Sequence, residues 1–223
     1  MQTQAEAEMV AKIVNLINLK ETPKILNIGS GKDISIEQQL NHAGCKYTVD
    51  RLDIEPCQID FINVNRCWTF PVEDMPQVNS SFYDAAFANY VLEHVGDIQK
   101  AAKEIYRILV PGGYFLATVP NPAAPEFIIA KNTPVGTHKR FRKQMAWKTI
   151  YAYKSIKNLC RIFENAGFKF VDLNYFPAVG NYLSPYPLLS IAGKIYDRVL
   201  NKIKITNLLG QVCVIFQKLA TID

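Results

Sequence analysis

Apolar residues at Met9/Val10, Ile13/Val14 and Leu16/Ile17 recur at helical spacing behind Thr3-x-x-Glu6, which has the form of a capping box. The pattern predicts an N-terminal helix over residues 4–19 with one buried face, stopped by Thr22-Pro23. KILNIGSG then reads as a short buried strand entering a tight turn, and Ser35 to Ala43 as a helix ended by Gly44. KYTVDRLD, IDFINV and YDAAFAN are predicted as the second, third and fourth strands. A helix over Ile98–Leu109 carries Ala101, Ala102, Ile105 and Ile108 three and four residues apart, and Pro111-Gly112-Gly113 breaks it before a fifth strand, YFLATVP. After a proline-containing loop from Asn121 to about Arg142, helix returns near Tyr151–Ala166, followed by a sixth strand, FKFVDLNYF. PAVGNYLSPYPLLS reads as a loop or lid, Ile191–Lys202 as a last helix and QVCVIFQK as a seventh strand. Strands alternating with helices imply right-handed crossovers and a mostly parallel sheet covered on both faces.

The totals fit one such domain. A chain of 223 residues with 49% apolar and 20% charged content can bury one substantial core. No apolar run approaches the roughly 18–20 residues of a membrane span. The start, MQTQAEAEMV, is acidic where a signal peptide would be basic and then apolar, so a cytoplasmic protein is expected. The five cysteines form no C-x-x-C pair and read as reduced thiols, with no metal site expected. The net charge of +5 matters less than its distribution: from Lys131 to Arg161 there are nine cations and no acid. Such a block is usually a solvated face, and it can also attract phosphates, nucleic acid or an anionic membrane.

The turn after the first strand, Asn27-Ile28-Gly29-Ser30-Gly31, lies where a doubly wound sheet binds ligands. Glycines let the backbone approach a nucleotide, and the helix that follows offers free N–H groups. A carboxylate ending the second strand is the expected companion, because it accepts from both ribose hydroxyls. Asp53 and Asp50 both qualify, with Asp53 preferred because it ends the longer run. A nicotinamide-dependent dehydrogenase is disfavoured, since the last glycine of G-x-G-x-x-G is replaced by Ile34.

Four segments in order, ILNIGSG, LDIEP, YDAAFANYVLEHV and IYRILVPGGYFLATVPN, resemble the class I S-adenosylmethionine-dependent methyltransferases. The likeness is to the subgroup related to ubiquinone-pathway and glycan-cluster enzymes. It covers about Lys24 to Asn121, with a weaker extension to about Leu173. It implies a Rossmann-like α/β fold whose seven-stranded, mostly parallel sheet has helices on both faces and an antiparallel last strand. The whole chain, 1–223, is then one methyltransferase domain, with acceptor-side insert or lid segments at about 121–150 and 176–190. The implied cofactor is S-adenosylmethionine. Asn27, Gly29, Ser30 and Gly31 would line its methionine and ribose portion, Asp53 or Asp50 its ribose, Asn65 and Arg66 its adenine, and Asn89 and Tyr90 its methionine side. Two positions depart from the family pattern: Asn27 stands where an acid is usual, and Asp33 where a third glycine is usual. Asn27 forgoes a charge for the methionine ammonium, whereas Asp33 could cap the next helix or supply that charge.

A sulfonium is its own activated leaving group, so the protein chiefly aligns an acceptor and excludes water. A base is needed only for an acceptor that must lose a proton. His138, in the loop after the fifth strand, and His94, in LEHV, are the candidates. The expected acceptor is a small molecule or a lipid- or sugar-linked compound. Nucleic acid is disfavoured because the basic block lacks aromatic residues spaced for base stacking. FPAVGNYLSPYPLLS could close over an acceptor or touch a membrane surface. The rival reading is a non-catalytic binding or scaffold protein of the same fold.

Overall fold

The computed structural model describes residues 2–57, 60–125, 127, 149–183, 187–203 and 205–220. Its helices and strands run α1 (Gln4–Ile17), β1 (Lys24–Ile28), α2 (Ser35–His42), β2 (Thr48–Asp53), β3 (Val64–Thr69), β4 (Tyr83–Asn89), α3 (Ile98–Ile108) and β5 (Leu109–Pro120). They continue with α4 (Ile156–Asn165), β6 (Phe168–Phe176), α5 (Val179–Tyr182), α6 (Pro187–Ile203) and β7 (Gln211–Lys218). The strands form one seven-stranded sheet in the order β3-β2-β1-β4-β5-β7-β6. β1 to β5 pair in parallel, and β7 is antiparallel to both β5 and β6.

Two apolar layers hold the helices to the sheet. On one face Met9, Ile13 and Ile17 of α1 and Ile36 and Leu40 of α2 cover Ile25, Val49 and Phe87. On the other, Ile105 of α3 and Leu159 and Phe163 of α4 cover Leu26, Phe115 and Phe216. Phe163 stacks on both Phe115 and Phe216, with ring centroids 5.1 and 4.7 Å apart. Each such side chain contributes about 1.5–3 kcal/mol by leaving water, which is why the central strands are apolar on both sides.

Several boundaries differ from the sequence reading. The apolar alternation of IDFINV suggests a strand, yet residues 60–63 are irregular and β3 starts at Val64, after Asn63 turns the chain at φ +74°. β3 is an edge strand of mostly polar or half-buried residues, so it lacks the run that marks a central strand. Pro111–Gly113 form a bulge inside β5 rather than a break before it, because Tyr83 pairs with Leu109 and Ala85 with Tyr114. The lid segment contains the short α5, and α6 begins at Pro187, with proline in the first turn where its missing N–H costs nothing.

Candidate functional site

β1 hydrogen-bonds to β2 on one side and to β4 on the other. The chain leaves these strands in opposite directions, so their carboxyl ends enclose the crevice where such sheets bind ligands. Ile28 leads into Gly29 at φ +68° and Gly31 at φ +49°. A Cβ on Gly29 would lie 2.2 Å from Cγ2 of Val91, so only glycine fits. The turn is fastened to β2: Gly29 N and Ser30 N donate to Leu52 O at 2.7 and 3.2 Å, and Gly31 N donates to Asp53 Oδ2 at 2.7 Å. Asp53 Oδ1 accepts from Glu55 N at 3.0 Å. The glycine bend and the preferred carboxylate are therefore in direct contact.

Two clefts meet at Gly29. The larger, about 450 Å³, is mostly apolar; Ile54, Phe70, Val72 and Ile150 line it, with Asp53, Tyr90 and His94 at its polar points. The smaller, about 240 Å³, is polar and lined by Asn27, Ser30, Gly31, Asp33, Glu37 and Asn89, among others. An apolar slot joined to a polar end, with a carboxylate at the junction, suits a nucleoside bearing a charged tail.

The polar cleft is built on a buried network. Asn27 Nδ2 donates to Glu37 Oε1 at 2.8 Å, and Arg51 Nε lies 3.5 Å from the same oxygen. Glu37 and Arg51 are both fully buried. Arg51 also donates to Ser30 O at 2.9 Å and to Asp33 O, tying the guanidinium to the turn. Glu37 Oε2 and Ser30 Oγ are buried without a hydrogen-bond partner among the described residues. A buried, unsatisfied carboxylate oxygen beside a polar cleft is an open acceptor for a ligand donor. Asp33 Oδ1 accepts from Ser35 N at 2.9 Å, an Asx turn leading into α2; the N-cap position itself is Ile34, so Asp33 does not cap the helix.

β4 and α1 close the other wall. Asn89 Oδ1 accepts from Thr118 Oγ1 at 2.6 Å, and Asn89 Nδ2 donates to Glu6 Oε2 at 3.2 Å. Thr3 caps α1 by accepting from Glu6 N at 3.1 Å, while the Glu6 carboxylate also accepts from Gln39 at 3.4 Å. Tyr90 follows β4 at φ +55°, an unusual conformation for a tyrosine. Thr118 O accepts its N–H at 3.0 Å, and its hydroxyl shares a 3.1 Å hydrogen bond with Thr3. Burial pushes its hydroxyl pKa up. Glu93, next to His94, is buried, and desolvation pushes its carboxyl up to about 8. His94 Nε2 lies 4.0 Å from Glu93 Oε1 and the ring borders the larger cleft.

The crevice thus gathers Asn27, Gly29, Ser30, Gly31, Asp53, Asn89, Tyr90 and His94 from the sequence-derived candidates. Asp50, Asn65 and Arg66 border neither of the two clefts. Three residues from Asp53 on a strand, Asp50 points to the opposite face; it accepts from Tyr83 at 2.7 Å and Asn65 at 3.0 Å in a buried network. Asn65 and Arg66 stand at the start of β3, not its end, where Thr69 pairs level with Asp53 and Phe70 leads into the cleft. His138 lies outside the described residues, as does most of the basic block. Glu37 and the Phe70–Val72 wall escape the sequence reading. A glutamate one turn into α2 looks like an ordinary surface residue until β2 brings Arg51 beside it. Among the described residues, no cluster of His, Cys, Asp and Glu could hold a metal ion, and no helix is long and apolar enough to cross a membrane.

Comparison with known proteins agrees with this geometry. A family model described as a methyltransferase domain matches residues 1–173. No curated protein matches. Among solved structures, a putative sarcosine dimethylglycine methyltransferase from Galdieria sulphuraria superposes with a TM-score of 0.63 at 15% identity, over 95% of this chain and 84% of that one. A putative methyltransferase from Bacillus halodurans C-125 gives 0.61 at 16% identity, over 95% and 99% of the two chains. The geranyl diphosphate C-methyltransferase of Streptomyces coelicolor A3(2), solved with Mg2+, geranyl-S-thiolodiphosphate and S-adenosyl-L-homocysteine, gives 0.57 at 14% identity, over 96% and 76%. At these identities the structural likenesses speak for the fold; the family match, spanning most of the chain, speaks for membership. The chain belongs to the methyltransferase-domain family, as an S-adenosylmethionine-dependent methyltransferase.

Proposed function

We propose that the two joined clefts hold S-adenosylmethionine and that the protein passes its methyl group to a small-molecule or lipid- or sugar-linked acceptor, in the manner of the ubiquinone-pathway and glycan-cluster subgroup. The observation that carries this reading is the 2.7 Å contact between Gly31 N and Asp53, beside a buried acceptor oxygen of Glu37. Asp53 keeps lone pairs for both ribose hydroxyls, since an ionised carboxylate accepts about four hydrogen bonds. Phe70, Val72 and Ile54 offer the apolar slot an adenine ring needs. Glu37 takes over the role of the acid that Asn27 lacks: its Oε2 accepts from the methionine ammonium, while Asn27 and Arg51 fix its other oxygen. Glu6 adds a second negative charge on the Asn89 wall.

When bound, the sulfonium supplies an already activated methyl group. The chain's task is then alignment and exclusion of water, for which Tyr90, held at both its N–H and its hydroxyl, forms a rigid wall. His94 borders the cleft and is the described residue best sited to take a proton from a hydroxyl acceptor. Calorimetry with S-adenosylhomocysteine tests the reading. Wild type should bind in the micromolar range and Asp53→Ala about tenfold or more weaker, as expected for a lost charge-assisted hydrogen bond. Equal affinity in the two proteins would remove Asp53 from the site.

A further inference from the structure

Helix α6 turns a polar face inward and an apolar face outward. Inward, Gly193 packs against Gly180 of α5 so closely that a Cβ would meet the Gly180 Cα at 3.1 Å. Asp197 accepts from Gly180 N at 2.7 Å and Val179 N at 3.3 Å, Ser190 Oγ donates to Gly180 O at 3.3 Å, and Leu200 is buried. Outward, Leu188, Ile191, Ile195, Val199 and Ile203 follow one another at intervals of three or four, a single stripe along the helix. They are 83, 57, 54, 50 and 54% exposed. A run of aliphatic side chains left in water is unusual for a surface that meets only solvent. Lys194, Arg198 and Lys202 are exposed along one flank of the stripe, Lys194 and Arg198 at the rim of the cleft that Asp197 and Gln4 also line. The helix's sole carboxylate, Asp197, is committed to α5, so the outward face carries no negative charge.

We propose that α6 is an interfacial helix that lays this stripe into an anionic lipid surface, with Lys194, Arg198 and Lys202 on the headgroups. The pairing of an aliphatic face with flanking cations and no outward acid is the complement of such a surface. Against a second copy of the chain packed antiparallel across a two-fold axis, the same flank would bring like charges together. Seventeen residues span about 25 Å, enough to lie along an interface. α6 shares a cleft with Gln4 at the start of α1, and neighbouring Thr3 holds Tyr90 in the ligand crevice. Docking would therefore bring the crevice rim to the membrane, where a lipid-linked acceptor resides; that last step rests on the methyl-transfer reading, whereas the docking does not.

Co-sedimentation of the full chain with phosphatidylcholine vesicles, with and without phosphatidylglycerol, tests the docking. Wild type should pellet with the anionic vesicles, and more weakly as salt rises from about 0.1 to 1 M and the Debye length shrinks from about 10 to 3 Å. The Ile191→Ser/Ile195→Ser/Val199→Ser variant should bind about tenfold or more weakly, and Lys202→Gln about fivefold, with unchanged thermal midpoints. Wild type that ignores both vesicle types overturns the docking, as does a triple variant that binds as well as wild type. So does a dimer, by sedimentation equilibrium, that the triple variant abolishes. A parallel S-adenosylhomocysteine isotherm on each protein reports the cofactor reading separately, because no α6 residue is among the described residues that line the two clefts at Gly29.

Discussion

Replacing Glu37 by Gln changes one charge and almost no volume, at the point where this chain departs from the usual site chemistry. Glu37 Oε1 is shared by Asn27 and Arg51, while Oε2 is buried and unclaimed. If Oε2 receives the methionine ammonium, its neutralisation costs a hydrogen bond between charged groups, about 1.5–3 kcal/mol, or about 10- to 150-fold in dissociation constant. The same change weakens the buried ion pair with Arg51. Stranding a buried charge typically costs about 3–5 kcal/mol. Here the guanidinium keeps Ser30 O and Asp33 O, and Gln can still bond to Asn27. We expect a loss of about 2 kcal/mol, a fall of about 4–8 °C in thermal midpoint for a chain of this size. Affinity and stability must therefore be separated. Titration calorimetry with two ligands does so: S-adenosylhomocysteine, which carries the amino-acid tail, and 5′-methylthioadenosine, which lacks it. E37Q should lose the full factor for the first and change the second by no more than about twofold. Equal weakening of both would mean that Glu37 only supports the pocket, and no change in either would refute its role altogether.

Three further outcomes follow from the geometry. Gly29→Ala forces a Cβ to within 2.2 Å of Val91 and retains φ near +68°, so it should destabilise the protein by about 2 kcal/mol or more and abolish cofactor binding, with Val91→Ala restoring part of the stability in urea melts. Because the Glu93 carboxyl lies near 8 in the fold against an ordinary value of 4.5, the folded state holds a proton the unfolded chain has released between those pH values. Stability should fall as pH rises through that window, by up to about 1.4 kcal/mol per unit, and denaturant curves of Glu93→Gln should lose that slope. The double variant Asn27→Asp/Glu37→Gln moves the charge to the position the family usually uses; calorimetry should find its S-adenosylhomocysteine affinity about tenfold better than that of E37Q alone.

The alternation of strands and helices and the glycine bend are legible in the chain, because each rests on a local signal. Apolar runs mark β1 and β4 as central, and Gly29 answers a backbone need that no other residue meets. What escaped depends on contacts between distant segments. Asp50 and Asp53 are equivalent as letters; only the pleat and the Tyr83 hydroxyl separate the one turned inward from the one at the turn. Edge strand β3 shows no apolar run, so the alternation of IDFINV draws the prediction five residues too early and carries Asn65 and Arg66 with it. Glu37 lines the polar cleft beside Arg51, fourteen positions along the chain on another strand, and no periodicity marks that pairing. The outward stripe of α6 is half legible: Ile191–Lys202 reads as a helix, while the first turn of α6 falls within the segment that reads as loop or lid.

A crystal structure with S-adenosylhomocysteine would bear on all of this at once. The ribose hydroxyls should lie within hydrogen-bond distance of Asp53, the adenine between Phe70 and Ile54, and the amino group about 3 Å from Glu37 Oε2. A ligand bound elsewhere, or one whose amino group turns away from Glu37 towards another carboxylate, would contradict the site described here.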